Sequence, residues 1–309
     1  GGSVEYFYRK TKDMLFFFNV PLSLGYSGYY DNIGDMRNSG IEVALNAVLL
    51  KRKNIIWDIN ANLTHYTNKI TMLPQEHKKM EVEGFGGYQS GGRYYGEGLP
   101  IYTFYMPKYA GVEADTGLPM WYQDKDGETV TTTVYSDATD YLCGDPTPDI
   151  YGGFGTSVSF YGFDVSVQFT YSAGGLTYDS GYAALMTPPG SSTGSNIHMN
   201  MLHAWTPANK DSSIPRFQYL DENIAAQSDR FLTRAGYLNF QSAQFGYTLP
   251  HRLTEKFMVS RLRIYVLCDN IFYWSARQGL DPRYSFTGTT NYAVNSPVRT
   301  LSGGISVTF

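Results

Sequence analysis

The chain has 309 residues, with 24 Lys and Arg against 28 Asp and Glu, a net charge of −4, and a mean hydropathy of −0.30. A nucleic-acid binder needs a basic footprint, which this balance excludes. Two cysteines, Cys143 and Cys268, are too few for a disulfide scaffold, and no apolar run approaches the roughly 18 residues of a membrane-spanning helix.

The unusual counts are 27 Tyr, 18 Phe and 32 Gly. The chain opens Gly1-Gly2-Ser3 with neither Met nor a leader, as expected for an internal point of a longer precursor or a cloning scar. Along it, two-residue alternation replaces helical periodicity. It predicts about ten strands, near 3–9, 39–50, 55–66, 100–112, 118–134 (broken), 151–160, 163–172, 235–248, 260–271 and 299–309. Six stretches alternate, Gly152 to Phe160 more weakly than the rest. Their apolar faces carry Ile41 to Leu49, Ile55 to Leu63, Gly152 to Phe160, Val165 to Tyr171, Leu262 to Cys268 and Leu301 to Phe309, at every second residue, and none of those residues is charged. The opposite faces hold Glu42, Asp58, Asp164, Arg261 and Arg263. A charge facing mid-bilayer lipid costs about 2–4 kcal/mol, so a barrel wall sorts charge in this way. A soluble sandwich core also excludes charge, and the connections separate the two.

Those connections alternate between short and long. Lys51 to Asn54, Glu113 to Gly117, a tight turn at Gly162 and Pro250 to Ser260 are short or medium. The stretches near 67–99, 173–234 and 274–299 are long. An up-and-down barrel with short periplasmic turns and long outer loops has this rhythm, whereas a sandwich joins its strands more evenly. With Phe309 at the periplasmic end, every short turn falls on that side. Aromatics gather at strand ends (Tyr6 to Tyr8, Phe16 to Phe18, Tyr151 and Phe154, Phe160 to Phe163, Phe272 to Trp274), as a headgroup girdle requires.

Several segments carry a resemblance. They include Ser3 to Leu15, Asn32-Ile33-Gly34-Asp35-Met36-Arg37-Asn38-Ser39-Gly40-Ile41-Glu42, Gly144-Asp145-Pro146-Thr147-Pro148-Asp149-Ile150-Tyr151-Gly152-Gly153-Phe154 and Ser228-Asp229-Arg230-Phe231-Leu232. Phe245 to Pro250, Arg263 to Val266 with Asp269 to Phe272, Gly279-Leu280-Asp281-Pro282-Arg283 and the terminal Phe309 complete the set. In order and spacing they resemble the C-terminal portion of a SusC/RagA-type TonB-dependent transporter of Bacteroidetes outer membranes. The resemblance implies an all-β fold. The whole of 1–309 would be the C-terminal part, about ten antiparallel strands, of a transmembrane barrel of about 22 strands. It implies a plug domain and a TonB box upstream, a SusD-like surface lipoprotein as partner, coupling to the TonB complex through the N-terminal region, and import of oligosaccharides or, in the RagA branch, peptides.

Chemistry-bearing motifs are weak. Asp124-Lys125-Asp126-Gly127-Glu128 lacks the spacing of a calcium loop and reads as a β-turn. His198 and His203 are five apart in a loop and do not form a metal site. The Gly84 to Gly98 run lacks the Lys-Ser/Thr of a phosphate loop and reads as a flexible outer loop. No carboxylate pair is marked as a glycosidase dyad. The chain is therefore expected to be no enzyme and to need no metal or cofactor. Loop aromatics suit sugar rings better: Tyr94, Tyr95, Trp121, Tyr122, Trp205 and Trp274 are candidates for stacking. The last strand, with Leu301, Ile305, Val307 and Phe309, is expected to signal to the barrel-assembly machinery and to face outer-membrane lipid. A passive porin or adhesin barrel is the alternative function, and a secreted sandwich module a third.

Overall fold

A computed structural model describes residues 1–309 apart from 21, 33, 189–195 and 291–296, so Ile33 of the segment quoted above lies outside the described residues. The side chains of Phe16 to Phe18 lie outside it too. Eight strands form one antiparallel sheet: β1 (Gly2–Thr11), β2 (Asp35–Arg52), β3 (Ile55–Met72), β4 (Ile150–Phe160), β5 (Phe163–Ala173), β6 (Tyr237–Thr248), β7 (Arg261–Ser275) and β8 (Thr300–Thr308). Each pairs with its neighbours in sequence, from β1 to β8. This is the up-and-down meander that the loop rhythm predicts.

Register turns the alternating residues of single strands into continuous rows. Ala61, Phe154, Phe169, Phe240 and Phe272 are successive cross-strand partners. So are Trp57, Val158, Val165, Phe245, Val266 and Gly303. These rows contain no charge and carry exposed apolar side chains on interior strands: Phe245 is 50% and Phe272 49% accessible. A soluble sheet would cover them, whereas a lipid-facing wall presents them. The opposite face aligns Asn46 with Asn60, Asp58 with Ser157 and Ser166, and Thr170 with Asn239, which is the polar lining of a lumen. Ring contacts reinforce the outward rows, with Phe169 and Phe240 stacked at 4.5 Å and Phe163 and Tyr247 at 4.4 Å.

A bulge keeps the rows aligned. Between Phe240 and Ser242 of β6, strand β7 carries an extra residue, and Asn270 takes φ +52° there. Because β7 skips Asn270 and Ile271 while β6 skips only Gln241, Phe272 and Trp274 still face outward beside Phe240 and Leu238. The β4–β5 hairpin turns on Tyr161 and Gly162 at φ +47° and +91°. A two-residue turn with both φ positive matches the strand twist, and glycine takes the second position without strain.

Two of the ten predicted strands are not in the wall. The 100–112 run yields only Tyr105–Pro107 and Tyr109–Val112 as strands. The 118–134 run folds back on itself as Pro119–Lys125 and Glu128–Thr132, turning at Asp126 and Gly127. These pieces have three to seven residues, and a spanning strand needs about 9–11. They lie within one long excursion between β3 and β4, so the Glu113 to Gly117 turn is on the outer side and not in the periplasm. Because the two lost strands form a pair, the direction of every other strand is unchanged.

Candidate functional site: the outer loops and the lumenal face

The long connections leave the same end of the sheet and build a second, mostly buried layer. Between β3 and β4, Met80–Val82, Phe85–Ser90 and Arg93–Gly96 form a three-stranded sheet. Glycines at positive φ (Gly84, Gly91, Gly92 and Gly98) shape its turns. The glycine-rich run is therefore ordered structure and not a loose loop. The strand Tyr109–Val112 pairs with Pro119–Lys125, and Tyr105–Pro107 with Asp140–Leu142. Between β5 and β6, Leu176–Tyr178 pairs with Leu232–Arg234. Asp179 there caps the helix Ser180–Leu185 by accepting from Tyr182 N at 3.0 Å.

Polar side chains tie these excursions together. Arg93, only 8% exposed, donates to Tyr102 O at 2.6 Å, to Thr287 O at 2.6 Å and to Thr289 Oγ1 at 2.9 Å. Its guanidinium lies 3.6 Å over the Phe104 ring. Burial lowers its pKa to about 10, still high enough to keep it charged at neutral pH. Tyr178 N donates to Gly288 O, and Thr290 N to Tyr178 O. Arg277 pairs with Asp179, and Arg283 is clamped by Asp281 while donating to Asn239 Oδ1 at 2.8 Å. Asn239 is a lumenal residue of β6, so the loop between β7 and β8 is pinned over the lumen. On the other side Tyr109 N donates to Asp229 Oδ1 at 2.7 Å, and burial raises the pKa of that carboxyl.

This packing decides among the six aromatic candidates. Tyr94, Tyr95 and Trp121 are 0%, 8% and 1% exposed. Tyr94 donates to Phe85 O at 2.6 Å, Tyr95 stacks on Tyr88 at 5.0 Å, and Trp121 lies edge-on to Tyr135 at 5.1 Å. They are loop core and have no free face, which corrects the expectation. Trp274 is half exposed, but it sits in β7 opposite Leu238 on the outward side and edge-on to Phe272 at 4.6 Å. It belongs to the wall and not to a substrate loop. Trp205 is partly buried and donates to Ala114 O at 3.0 Å, while Tyr122 keeps an exposed face. The hydrophobic character of tyrosine and tryptophan flags both fates alike, and only burial separates them.

The weaker motifs resolve as local structure. Asp124 accepts from Thr129 Oγ1 and Tyr141 Oη, both at 2.7 Å, across the hairpin. His198 accepts from Asn200 N as a cap and meets Tyr182 edge-on at 4.8 Å. In the last strand Leu301, Ile305 and Val307 face outward opposite Cys268, Ile264 and Leu262, and Phe309 follows the strand end.

The wall and its loops match known proteins over their full extent. The family described as "TonB dependent receptor-like, beta-barrel" matches residues 1–112. The chain is 26% identical to TonB-dependent receptor P3 of Formosa agariphila over 99% of this chain and 32% of that protein. It is 25% identical to TonB-dependent receptor SusC of Bacteroides thetaiotaomicron over 91% and 27%. The solved structure titled "Structure of the RagAB peptide transporter" superposes with a TM-score of 0.82 at 26% identity, over 100% of this chain and 33% of that one.

Residues 1–112 match the TonB-dependent receptor β-barrel family, and the chain as a whole is similar to proteins named TonB-dependent receptor. It spans about a third of the length of the relatives it matches, in keeping with eight wall strands out of about 22 in such a barrel. The family is one of outer-membrane receptors and transporters and not of enzymes.

Proposed function

We propose that the whole protein imports oligomeric nutrients across the outer membrane, driven through TonB, with a SusD-like lipoprotein over its outer loops. Neutral oligosaccharides are the first substrate class and peptides the second. The observation that carries the reading is the two-sided wall: charge-free rows outward and hydrogen-bonding rows inward, under a packed loop layer. It is supported by the likeness to SusC and to the RagAB peptide transporter. Asn46, Asn60, Asn62, Gln168, Ser166 and Gln244 give the lumen side amide and hydroxyl groups, which suit sugar hydroxyls and peptide amides alike. The exposed face of Tyr122, with Trp205 beside the same loops, supplies an apolar platform for a sugar ring.

The test is uptake by cells carrying the full-length gene. Labelled neutral oligosaccharides and peptides of matched size are offered with and without a protonophore. Energy-dependent uptake of one class, lost on gene deletion and weakened by Tyr122→Ala, is the expected result. Uptake that persists in the presence of the protonophore would instead favour the passive porin.

A further inference from the structure

On the outward face of β1, β2 and β3 the chemistry changes in steps. The row Val4–Val43–Leu63 is apolar. Above it come Tyr6–Ile41–His65, then Tyr8–Ser39–Thr67, and then Lys10–Arg37–Lys69. The register is unbroken from the first row to the last in both pairings, so all four rows share the lipid-facing side. Tyr6 and Tyr8 are 70% and 57% exposed, and the Ser39 and Thr67 hydroxyls lie 3.4 Å apart. The sequence of apolar, aromatic, hydroxyl and cationic rows follows the order of layers from hydrocarbon to headgroup.

The top row is unusual for a sheet. Like charges directly opposite one another across strands repel, and here three cations stand side by side within about 10 Å, two strand spacings. Lys10 has an acid partner, Asp35, at 2.8 Å. Among the described residues Arg37 and Lys69 have no ion pair, and Arg37 Nε is enclosed without a hydrogen-bond acceptor. The row therefore retains net positive charge after Asp35 is counted. Four residues separate Arg37 from Ile41. At a 45° tilt that is a rise of roughly 9 Å above the last aliphatic residue of β2's outward face, the depth at which headgroup phosphates lie.

We infer that Lys10, Arg37 and Lys69 form a binding site for the phosphate of an outer-leaflet lipid headgroup. Arg37, in the middle, presents a planar fork to phosphate oxygens, and the lysines act as flanking point charges. The acyl chains of the same lipid would run down the Tyr8, Tyr6 and Val4 side of the wall. The inference rests on the lipid-facing orientation of the wall and not on any transported substrate.

The test uses the full-length protein, purified in mild detergent and titrated with diphosphoryl lipid A, with chemically dephosphorylated lipid A, and with inorganic phosphate. Bound lipid is read by native mass spectrometry. The expected result is binding of the phosphorylated lipid at least about tenfold tighter than of its dephosphorylated form. That preference is lost in Lys10→Gln/Arg37→Gln/Lys69→Gln and retained in Lys10→Arg/Lys69→Arg. Heat-modifiable migration verifies that each variant is a folded barrel. Equal binding of both lipids, or an unchanged preference in the glutamine variant, overturns the site. Displacement of the lipid by micromolar inorganic phosphate overturns the lipid assignment in favour of a free-anion site. A transport defect with normal lipid binding would bear on the proposed import alone.

Discussion

Asp164 of β5 and Arg263 of β7 are joined across the intervening strand, over Gly246 of β6. Arg263 Nε donates to Asp164 Oδ1 at 3.0 Å, and a second bond runs from Nη2 to Oδ2. A Cβ at position 246 would lie 2.6 Å from both Asp164 oxygens and from Arg263 Nη2. The glycine is what allows a lumenal ion pair to bridge three strands.

Gly246→Ala should therefore separate the pair. Hydrogen bonds to charged groups contribute about 1.5–3 kcal/mol. The pair is partly exposed on the lumen side, which favours the lower end of that range. Urea unfolding of the full-length barrel in vesicles measures the loss. In an Asp164→Asn background the same alanine should cost clearly less, and an equal cost in both backgrounds would rule out the bridge as the cause.

The outward and inward faces of β5 differ in what they tolerate. Val167 belongs to an uncharged row with Ile59, Thr156 and Ala243, and Ser166 points to the lumen beside Ser157 and Gln244. Val167→Arg should destabilise the inserted barrel by about 2–4 kcal/mol, while Ser166→Arg should leave insertion close to normal. The folded fraction, read from heat-modifiable electrophoretic migration, distinguishes them.

The last strand carries its own prediction. Val307 faces outward opposite Leu262, and Phe309 is 88% exposed. Deleting Phe309, or making Val307→Asp, should lower the amount of protein inserted in the outer membrane. Normal insertion of both variants would argue against this strand as an assembly signal.

Arg93 holds the loop between β7 and β8 through Thr287 and Thr289. Removing it leaves buried carbonyls unpaired, at about 1–3 kcal/mol for each group. Arg93→Ala should speed amide exchange at Gly288 to Thr290 and leave the wall strands protected.

Asp229 supplies a pH dependence. Burial raises its pKa above 3.8 in the folded loops, so the folded state binds more protons than the unfolded one just above that value. By linkage, loop stability is greatest below the unfolded value and falls as pH rises through the raised one. Amide exchange at Tyr109, whose N–H meets this carboxyl, should accelerate across that window. Asp229→Asn should flatten the profile while still accepting the bond.

The sequence located all eight wall strands among the ten expected; alternation set the faces of six of them, and the short and long connections set their direction. A strand's period is two residues whatever surrounds it, and lipid removes charge from one side. The outward side of Val165, Ile264 and Ile305 was legible for that reason. So was the hairpin turn at Gly162, because few residues other than glycine take its φ readily.

Tertiary structure decided the rest. The 100–112 and 118–134 runs read as strands in the sequence, yet they fold into the outer layer because their regular pieces are too short to cross a membrane. Whether an aromatic is core or platform depends on what packs over it, and local sequence carries no record of that. Tyr94 and Trp121 are enclosed, Trp274 faces outward, and Tyr122 keeps an open face. The pairing of Asp164 with Arg263, and the alignment of Lys10, Arg37 and Lys69 in one row, depend on register between strands far apart in sequence. A shift of one residue would move each side chain to the other face.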